Sequence, residues 1–459
     1  MNQPFSRLKL PPDVLANLDT LGYQQMTPIQ AEALPHVLAG ADLIARAKTG
    51  SGKTVCFGLG LLQGLKQEIF AIQALVLCPT RELADQVAKA LRSLARASAN
   101  TKIVTLCGGA PFGPQVGSLE HGAHIVVGTP GRILKHLQKG TLNLANVQTL
   151  VLDEADRMLD MGFYDDIAAI LSTTPAQRQT LLFSATYPEG IRQLSSAFQR
   201  SPVEVTVEAQ HAANKIRQVF YEVEKGSRVR SLTALLAQYK PASTVVFCHT
   251  RQQCQEVCEE LQQRGIAALA LHGDLDQKER DLVLVRFSNR SVPVLVATDV
   301  ASRGLDIKDL AAVINFELPR DPEIYVHRIG RTGRADSKGI ALSLFIASEA
   351  YRVNAIETYQ GSPVQLEQVR SLTLPEGFSL PAPMQTLCID GGRKEKVRAG
   401  DILGALTAND AVPATMVGKI DIFEHQAYVA IDRNIRKKAL KVLSEGNIKG
   451  RRFKVRAIH

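Results

Sequence analysis

The stretch ADLIARAKTGSGKT, residues 41–54, runs from an apolar strand pattern through a glycine-rich turn into the helical pattern VCFGLGLLQGL. Gly50 and Gly52 would let backbone amides approach phosphate oxygens, and Lys53 would neutralise the terminal phosphates. The Thr54 hydroxyl would reach Mg²⁺ at the positive start of the helix. Ala47 replaces the first glycine of the general pattern, so a chance glycine-rich turn stays the alternative at this point. The predicted phosphate loop comprises Ala47, Lys48, Thr49, Gly50, Ser51, Gly52, Lys53 and Thr54.

An acidic pair follows an apolar run in TLVLDEAD, residues 149–156. The run reads as a strand, and Asp153 and Glu154 stand at its carboxyl end, where ligands of open α/β sheets bind. Asp153 would hold Mg²⁺ through its water shell, and Glu154 would orient and deprotonate an attacking water. Alone, the segment could be an acidic helix start on the surface. Beside a phosphate loop, it favours hydrolysis of a nucleotide triphosphate that is bound with Mg²⁺.

Short apolar runs alternate with longer amphipathic stretches from the phosphate loop onward, and the rhythm restarts at TVVFCHT, residues 244–250. This alternation predicts two successive α/β domains, each a parallel sheet flanked by helices. Polar residues separate the two periodic sets, and three prolines and a glycine interrupt residues 371–383. The predicted boundaries are 1–207 for the first domain, 208–215 for a linker, 216–365 for the second domain, 366–383 for a second linker and 384–459 for a C-terminal domain.

The C-terminal domain reads as strand, helix, strand, strand, helix, strand. This βαββαβ order matches the α+β fold of an RNA-recognition motif. Its first and third strands lack the usual aromatic side chains apart from Tyr428, so base stacking on the sheet face has little support. The module carries 15 Lys and Arg against 8 Asp and Glu, which leaves only +2 of the net charge of +9 to residues 1–383. Such a basic module indicates a polyanion partner, with a solvated charged surface as the alternative.

Cysteine usage and hydropathy bear on location. The seven cysteines are odd in number and spread along the chain, several of them in apolar runs, which favours reduced core residues. Cys248, His249, Cys254 and Cys258 lack the paired knuckles of a zinc site, so no structural zinc is expected. No apolar run approaches the roughly 18 to 20 residues of a membrane span, and the start lacks a secretory core. We therefore expect no membrane association and a cytoplasmic location.

Further motifs surround these two in a fixed order. PTREL at 79–83, Gly108 with Gly109, and TPGR at 129–132 precede DEAD, and SAT at 184–186 follows it. The second domain contains four more: VVFCHTR at 245–251, Gln277 with Arg280, ATDVASRGLDI at 297–307 and HRIGRTGR at 327–334. The chain resembles the DEAD-box RNA helicases in all of them. The resemblance implies two RecA-like domains and an ATP-dependent enzyme that locally unwinds RNA duplexes.

The resemblance also assigns roles around the nucleotide. GYQQMTPIQ at 22–30 is similar to the adenine-reading Q motif, in which Gln30 would bond the adenine edge and Thr27 the phosphate loop. Phe5 or Tyr23 would pack on the base, which implies ATP in preference to GTP. In the second domain the ribose and γ-phosphate contacts implied are Gly304, Asp306, and two arginine fingers, Arg331 and Arg334.

Coupling and RNA contacts follow from the same resemblance. Ser184 and Thr186 would couple hydrolysis to unwinding, although a simple hydroxyl cap at a strand end is the alternative. His327 would relay the nucleotide state towards the RNA. The implied contacts with the RNA backbone are small or cationic residues, which suits phosphate and sugar binding: Arg81, Gly108, Gly109, Thr129, Gly131, Arg132, Thr298 and Arg303.

LCIDGGRKEKVRAGDILGALT, followed by a GKI strand, is similar to the tail of the bacterial DbpA and YxiN branch of DEAD-box proteins. This implies recognition of a 23S ribosomal RNA hairpin in the peptidyl-transferase region, on pre-50S particles during large-subunit assembly. The hypothesised tail contacts are Arg393, Lys394, Lys419, Tyr428 and Lys438. Two alternatives stay open: a general helicase of messenger RNA decay or translation with a nonspecific basic tail, and a non-enzymatic RNA-binding scaffold.

Overall fold

The structure is a computed structural model that describes residues 3–47, 51–98, 100–187, 189–207, 216–302, 310–333 and 339–458. The predicted linker 208–215 lies outside the described residues. The chain forms two compact units, the first reaching residue 207 and the second beginning at residue 216 among the described residues. In the described part of the chain, no helix is long and apolar enough to cross a membrane.

The first unit is built around a parallel sheet of seven strands in the order β5-β6-β4-β7-β8-β3-β9, with helices between them. The remaining strands, β1 and β2, form a separate antiparallel pair. The strands are β1 (Gln3–Pro4), β2 (Gln25–Met26), β3 (Leu43–Arg46), β4 (Ala74–Leu77), β5 (Ile103–Leu106), β6 (Ile125–Gly128), β7 (Thr149–Asp153), β8 (Gln179–Ser184) and β9 (Val203–Thr206). The helices are α1 (Pro12–Thr20), α2 (Pro28–Leu38), α3 (Lys53–Gln63), α4 (Arg81–Leu94), α5 (Phe112–Glu120), α6 (Pro130–Gln138), α7 (Ala155–Asp160), α8 (Tyr164–Ser172) and α9 (Glu189–Phe198).

Both faces of this sheet are buried, because its strands are continuous apolar runs with helices on either side. Alternate side chains of β4 enter two different cores: Ala74 and Val76 join the one that contains Phe57 and Phe183, and Leu75 and Leu77 join the other. All four residues are buried. The polar residues that follow each strand are consequently gathered at one edge, where the carboxyl ends of parallel strands meet.

The second unit begins with another parallel seven-stranded sheet, in the order β12-β13-β11-β14-β15-β10-β16. Its strands are β10 (Ile216–Glu222), β11 (Thr244–Cys248), β12 (Ala268–Leu271), β13 (Val294–Thr298), β14 (Ala312–Asn315), β15 (Gly339–Phe345) and β16 (Gln365–Gln368). Its helices are α10 (Arg228–Tyr239), α11 (Arg251–Gln263), α12 (Gln277–Ser288), α13 (Asp299–Ser302), α14 (Pro322–Ile329) and α15 (Ala350–Gln360).

The C-terminal domain is a four-stranded antiparallel sheet in the order β18-β19-β17-β20, with both helices on one face. Its elements are β17 (Met384–Ile389), α16 (Ala399–Thr407), β18 (Val417–Ile422), β19 (Ala427–Asp432), α17 (Arg436–Glu445) and β20 (Val455–Ala457). The βαββαβ order is as expected from the sequence. Two parallel-sheet domains and one antiparallel-sheet domain confirm the predicted fold class.

The sheet face opposite the helices packs against the second unit's parallel-sheet domain. Leu387 of β17 points into the domain's own core, so Thr386 points the other way. The Thr386 hydroxyl accepts a hydrogen bond from Asn289 Nδ2 at 3.0 Å and donates one to Ser291 Oγ at 2.7 Å. Lys419 Nζ donates to Ser288 Oγ at the end of α12, at 3.1 Å. These polar groups cover part of the sheet face that an RNA-recognition motif exposes in its usual form.

The segment predicted as the second linker, 366–383, is ordered by its apolar residues. Its first residues belong to β16, which pairs with β10, so the sheet continues beyond the predicted domain end at 365. Further on, Leu372, Phe378 and Leu380 pack against the core of the second sheet. Leu380 also forms an isolated parallel bridge with Ile266. Apolar side chains thus hold the segment on the domain despite its prolines.

Candidate nucleotide and RNA site

Three adjacent strands bring the nucleotide motifs together. In the order β7-β8-β3, Asp153 ends β7, Ser184 ends β8, and the phosphate loop follows β3. Ala47 N donates to Ser184 O at 2.9 Å, which ties the loop's first residue to the SAT segment. Residues 48–50 of the loop lie outside the described residues. The strand order therefore places the phosphate loop, the acidic pair and SAT at one sheet edge.

Gln30 of the Q motif is bound to the phosphate loop. Its side chain is buried, with Nε2 donating to Gly52 O at 3.0 Å and Oε1 accepting from Thr27 N at 2.9 Å. Gly52 has a φ of +96°, and a Cβ there would lie 2.4 Å from Gln30 Nε2. Only glycine satisfies both conditions. The first half of the Q motif lies nearby: Phe5 is buried in the core, and Tyr23 packs against the same core partly buried.

Several buried polar atoms of the loop and the acidic pair make no hydrogen bond within the described part of the chain. They are Ser51 Oγ, Lys53 Nζ and Asp153 Oδ1. Unpaired buried polar groups are costly, so such a cluster is accounted for when a polar ligand completes it. A cation, a hydroxyl and a carboxylate oxygen are the chemistry that a Mg²⁺-bound nucleotide triphosphate requires. These residues therefore fit ATP with Mg²⁺.

Burial governs the protonation of Asp153, the carboxylate predicted to hold Mg²⁺. Asp153 is 3% exposed. Desolvation raises the pKa of its carboxyl to about 6, the Lys53 ammonium opposes this increase, and the Glu154 carboxylate adds to it. Glu154 itself occupies the left-handed region at φ 54°, where a side chain is strained. The strand thus ends in a carboxylate whose charge depends on a nearby cation, followed by a strained acidic residue.

Asp156, the last residue of DEAD, holds the SAT segment. Its Oδ2 accepts from Ala185 N at 3.0 Å, Thr186 N at 3.0 Å and Thr186 Oγ1 at 3.1 Å. In return, Asp156 N donates to Ser184 Oγ at 3.3 Å. Ser184 and Thr186 carry the coupling role predicted from the sequence, and their shared partner Asp156, although part of the DEAD motif, was not predicted. The two segments are connected through one carboxylate.

The other half of the same sheet edge holds the residues assigned to RNA. In the order β5-β6-β4, the Gly108–Gly109 loop follows β5, TPGR follows β6, and Arg81 begins α4 after β4. Thr129 N donates to Leu106 O at 3.1 Å, and Arg132 Nη1 donates to Ala110 O at 3.0 Å. These two bonds join the TPGR segment to the β5 strand and its loop. The nucleotide and RNA assignments thus occupy neighbouring halves of one sheet edge.

In the second unit, the buried Arg328 side chain joins two of the sequence motifs, a role that was not predicted from the sequence. It is 2% exposed, and its Nε and Nη2 donate to both carboxylate oxygens of Asp299 at 2.7 Å. Its Nη1 donates to Asn315 Oδ1 at 2.9 Å and to Glu317 O at 2.8 Å. A buried arginine with this many acceptors fixes HRIGRTGR to the ATDVASRGLDI segment. A signal was present, since Arg328 stands between the apolar residues of YVHRI.

The remaining assignments in this unit are only partly described. Arg331 is buried, and His327 Nε2 lies 3.4 Å from Glu323 Oε1. Thr298 ends β13, and its Oγ1 accepts from Ala301 N at 3.4 Å. Arg303, Gly304, Asp306 and Arg334 lie outside the described residues.

The five residues predicted to contact RNA in the C-terminal domain lie at three places. Arg393 and Lys394 are exposed in the loop after β17, where Arg393 Nη2 donates to Ile422 O at 2.9 Å. Lys438 is exposed on α17. Lys419 Nζ lies 3.1 Å from Asp421 Oδ1 besides its bond to Ser288, and Tyr428 Oη donates to Gln426 Oε1 at 2.9 Å. The structure therefore does not bring the five residues together.

Three family matches cover most of the chain. Residues 27–194 match the DEAD/DEAH box helicase family, and residues 227–336 match the helicase conserved C-terminal domain. Residues 386–457 match the DbpA RNA binding domain. The three matches fall, in chain order, on the two parallel-sheet domains and the antiparallel domain.

Relatives and solved structures agree with these matches. The chain is 53% identical to the ATP-dependent RNA helicase DbpA of Escherichia coli over 99% of both chains. It is 42% identical to the DEAD-box ATP-dependent RNA helicase CshA of Bacillus subtilis, over 82% of this chain and 76% of that protein. The structure of S. cerevisiae Dbp5 bound to RNA and ADP BeF3 matches 80% of this chain and 96% of its own, with a TM-score of 0.73 and 29% identity. The chain therefore belongs to the DEAD-box ATP-dependent RNA helicases, in their DbpA branch.

Proposed function

We propose that the C-terminal domain addresses this RNA helicase to a hairpin of 23S ribosomal RNA in the peptidyl-transferase region, on pre-50S particles during large-subunit assembly. The match of residues 386–457 to the DbpA RNA binding domain supports the proposal, as does the full-length similarity to a protein named DbpA. The cytoplasm is the compartment proposed for this activity. The domain boundaries proposed are those predicted from the sequence, with the second domain extended to Gln368 so that it includes β16.

The observation that carries the proposal is a basic loop end in the C-terminal domain, formed by residues 390–398, 423–426 and 449–454. Arg393 N and Lys394 N donate to Phe423 O and Glu424 O at 2.9 Å, and Asp390 N donates to Lys454 O at 2.9 Å. Short backbone bonds therefore fix the three loops to one another. Eight cations are exposed there: Arg393, Lys394, Lys396, Arg398, Lys449, Arg451, Arg452 and Lys454. A rigid, positive surface of this kind suits a folded RNA hairpin better than a flexible single strand.

The docking of the sheet face also favours the loop end as the RNA-binding surface. Because Asn289 and Ser291 cover Thr386 in the middle strand, a base cannot stack at that position while the domain is docked. Lys419 and Tyr428 stay predicted RNA contacts on that face, and Lys438 stays one on α17. The loop end is the larger group of exposed cations, so we propose it as the principal contact.

The chemistry of hydrolysis is proposed from the nucleotide half of the sheet edge. Thr54 and Asp153 would hold Mg²⁺, which when bound neutralises charge on the β- and γ-phosphates. Lys53 would pair with the terminal phosphates, and Glu154 would take the proton of the attacking water. Arg331 and Arg334 stay assigned to charge that develops on the γ-phosphate. Gln30 and Thr27, with Phe5 or Tyr23, would select adenine, and Gly304 and Asp306 would contact the ribose.

Coupling to RNA is proposed through the hydrogen bonds that join the DEAD and SAT segments. Ser184 Oγ accepts from the Asp156 backbone amide and Thr186 Oγ1 donates to the Asp156 carboxylate, so a change at the nucleotide would reach SAT through hydrogen bonds. His327 would act likewise in the second unit. The RNA backbone contacts proposed are Arg81, Gly108, Gly109, Thr129, Gly131, Arg132, Thr298 and Arg303.

The test compares ATP hydrolysis without RNA, with bulk single-stranded RNA and with a 23S fragment carrying the peptidyl-transferase hairpin, at equal salt. Glu154→Gln provides the blank. Selective stimulation by the fragment is the expected result. Equal stimulation by any RNA would agree with helicase activity but would contradict targeting to the 23S hairpin by the C-terminal domain.

Charge variants then locate the contact. Lys394→Gln, Arg451→Gln and Arg452→Gln together remove three exposed cations from the loop end, and Lys437→Gln, Lys438→Gln and Lys441→Gln remove three from α17. Only the loop-end triple should lower hairpin affinity strongly, and it should reduce the slope of log K against log salt by about 2 to 3. The reverse pattern would move the contact to α17 and to Lys438.

A further inference from the structure

Gln115 is a buried amide between two segments that the proposed function assigns to RNA. It lies on the first turn of α5 and is 8% exposed. Its Nε2 donates to the carbonyl of Cys107 at 3.0 Å, directly before Gly108. Its Oε1 accepts from Arg132 Nη1 at 2.8 Å. One side chain therefore joins the backbone of the glycine loop to the arginine of TPGR.

A histidine fixes the orientation of this amide. His136 Nε2 lies 3.0 Å from Gln115 Oε1, and His136 Nδ1 lies 2.9 Å from Thr141 Oγ1. Burial, and then Arg132, lowers the pKa of His136, so the ring is neutral near pH 7. Because Gln115 Oε1 only accepts, Nε2 carries the ring proton, and the unprotonated Nδ1 faces the Thr141 hydroxyl. Reversing the Gln115 amide would break its bonds to Arg132, His136 and the carbonyl together.

Stacking adds to the same arrangement. The ring of Phe112, at the start of α5, lies parallel to the His136 ring at 4.1 Å between centroids and 16° between planes. The Arg132 guanidinium lies 5.8 Å from the Phe112 ring centroid, within cation–π range. Arg132 is therefore restrained by an amide, a backbone carbonyl and an aromatic face.

We propose that Gln115 is a positioning residue for RNA binding, which holds Arg132 and the Gly108–Gly109 loop in one fixed geometry. An RNA backbone then meets both contacts at their correct spacing, without first ordering either of them. The proposal rests on the proposed RNA contacts of Arg132 and the two glycines. Gln115 itself touches neither nucleotide nor metal in this assignment, so its loss should affect RNA affinity and leave the chemical step intact.

The test uses the full chain and measures ATPase activity against RNA concentration. Gln115→Met should raise the RNA concentration for half-maximal activity about tenfold, as expected when a hydrogen bond to a charged group is lost, with kcat at saturating RNA unchanged. The control is Gln73→Met. Gln73 is equally buried in the same unit, and its amide accepts from Lys66 N and donates to Lys66 O and Ile69 O, away from the RNA segments. It should leave half-saturation unchanged.

Arg132→Met and the double variant with Gln115→Met distinguish the RNA contact of Arg132 from the positioning role of Gln115. Because Gln115 positions Arg132, the double variant should lose less RNA affinity than the sum of the two single losses, and any loss beyond that of Arg132→Met reports the bond to the glycine loop. An unchanged Arg132→Met would overturn the RNA contact on which the proposal rests. A weakened Arg132→Met beside an unchanged Gln115→Met would overturn the positioning role alone.

Gln115→Glu distinguishes positioning from general packing. The carboxylate keeps the acceptor for Arg132 and His136 but loses the donor to Cys107 O, so most of the lost RNA affinity should return. If Gln115→Glu binds RNA as weakly as Gln115→Met while both melt like the parent chain, the proposal fails. Because the Glu variant keeps the ion partner of Arg132, it also serves if Gln115→Met folds poorly.

Discussion

Arg157 Nη1 lies 3.0 Å from Glu154 Oε2, one helical turn apart, and both side chains are at most 10% exposed. The proposed general base is therefore held by a cation on the helix that its own motif begins. Since Glu154 also occupies the left-handed region, the arginine helps to fix the direction of a strained residue.

Arg157→Met should lower kcat at saturating ATP and RNA about tenfold, because the carboxylate is no longer oriented. It should also destabilise the first unit by about 3 kcal/mol, because a buried charge loses its partner. Steady-state kinetics and thermal melting measure the two effects. Adding Glu154→Gln to Arg157→Met should recover part of the melting temperature. An unchanged kcat would show that Glu154 is oriented by other groups.

Mg²⁺-dependent nucleotide binding should weaken as pH falls through about 6, where the Asp153 carboxyl takes up a proton. Titration of a fluorescent ATP analogue between pH 5 and 8 measures this with Mg²⁺ and, as the control, with EDTA. Without metal the affinity should not fall at low pH, because a neutral Asp153 repels phosphate less. Equal pH profiles in both conditions would contradict the assignment of Asp153 to the metal.

The same carboxyl affects the stability of the free protein with the opposite sign. Its folded pKa of about 6 exceeds the ordinary value of 3.8, so the folded chain binds the proton more tightly than the unfolded chain. The contribution of Asp153 to stability therefore increases as pH falls from about 6 towards 4. Thermal melts of Asp153→Asn and the parent chain should converge in that window, apart from the effects shared by both.

Thr186→Val should reduce duplex unwinding more than RNA-stimulated ATPase activity. The substitution removes one of the three hydrogen bonds to Asp156 Oδ2 while both backbone donors remain. We expect a loss of about fivefold in strands separated per ATP hydrolysed, which corresponds to about 1 kcal/mol. Parallel unwinding and ATPase assays measure this ratio. Equal losses in both assays would assign Thr186 to the chemical step.

Thr386→Val should loosen the C-terminal domain from the second unit, because Asn289 and Ser291 lose their buried hydroxyl partner. Trypsin should then cut faster after Arg370, in the segment that precedes the domain. Thr244→Val is the matched control, since Thr244 is fully buried in the same unit and its hydroxyl has no hydrogen-bond partner among the described residues. Equal cleavage rates for both variants would mean that the Thr386 hydroxyl is not needed to hold the domain in place.

The fold and the nucleotide half of the site were largely predictable, because their signals are local in sequence. Apolar runs gave the strands, and the phosphate loop and acidic pair each lie within a few residues of a strand end. The partners were not predictable in this way. Asp156, Arg157, Gln115 and Arg328 acquire their roles from strand order, such as β5-β6-β4, which places the α5 amide beside the arginine of α6.

The docking of the C-terminal domain could not be predicted from the sequence for a different reason. Its contacts are made by Ser288, Asn289, Ser291 and Thr386, which are small polar residues of the kind found on any surface. The proline-containing segment before the domain predicted a linker, and the packing of its apolar residues on the second sheet depends on tertiary structure.

The sheet of the C-terminal domain binds a neighbouring domain of its own chain, which limits how the C-terminal domain can be transferred to another protein. A chimera that carries only residues 384–459 onto another helicase would leave Thr386 without Asn289 and Ser291, and the orientation of the RNA relative to the motor would be lost with them. A functional transplant should therefore include residues 277–291 of the neighbouring domain, so that the unit of exchange is larger than the domain that binds the RNA.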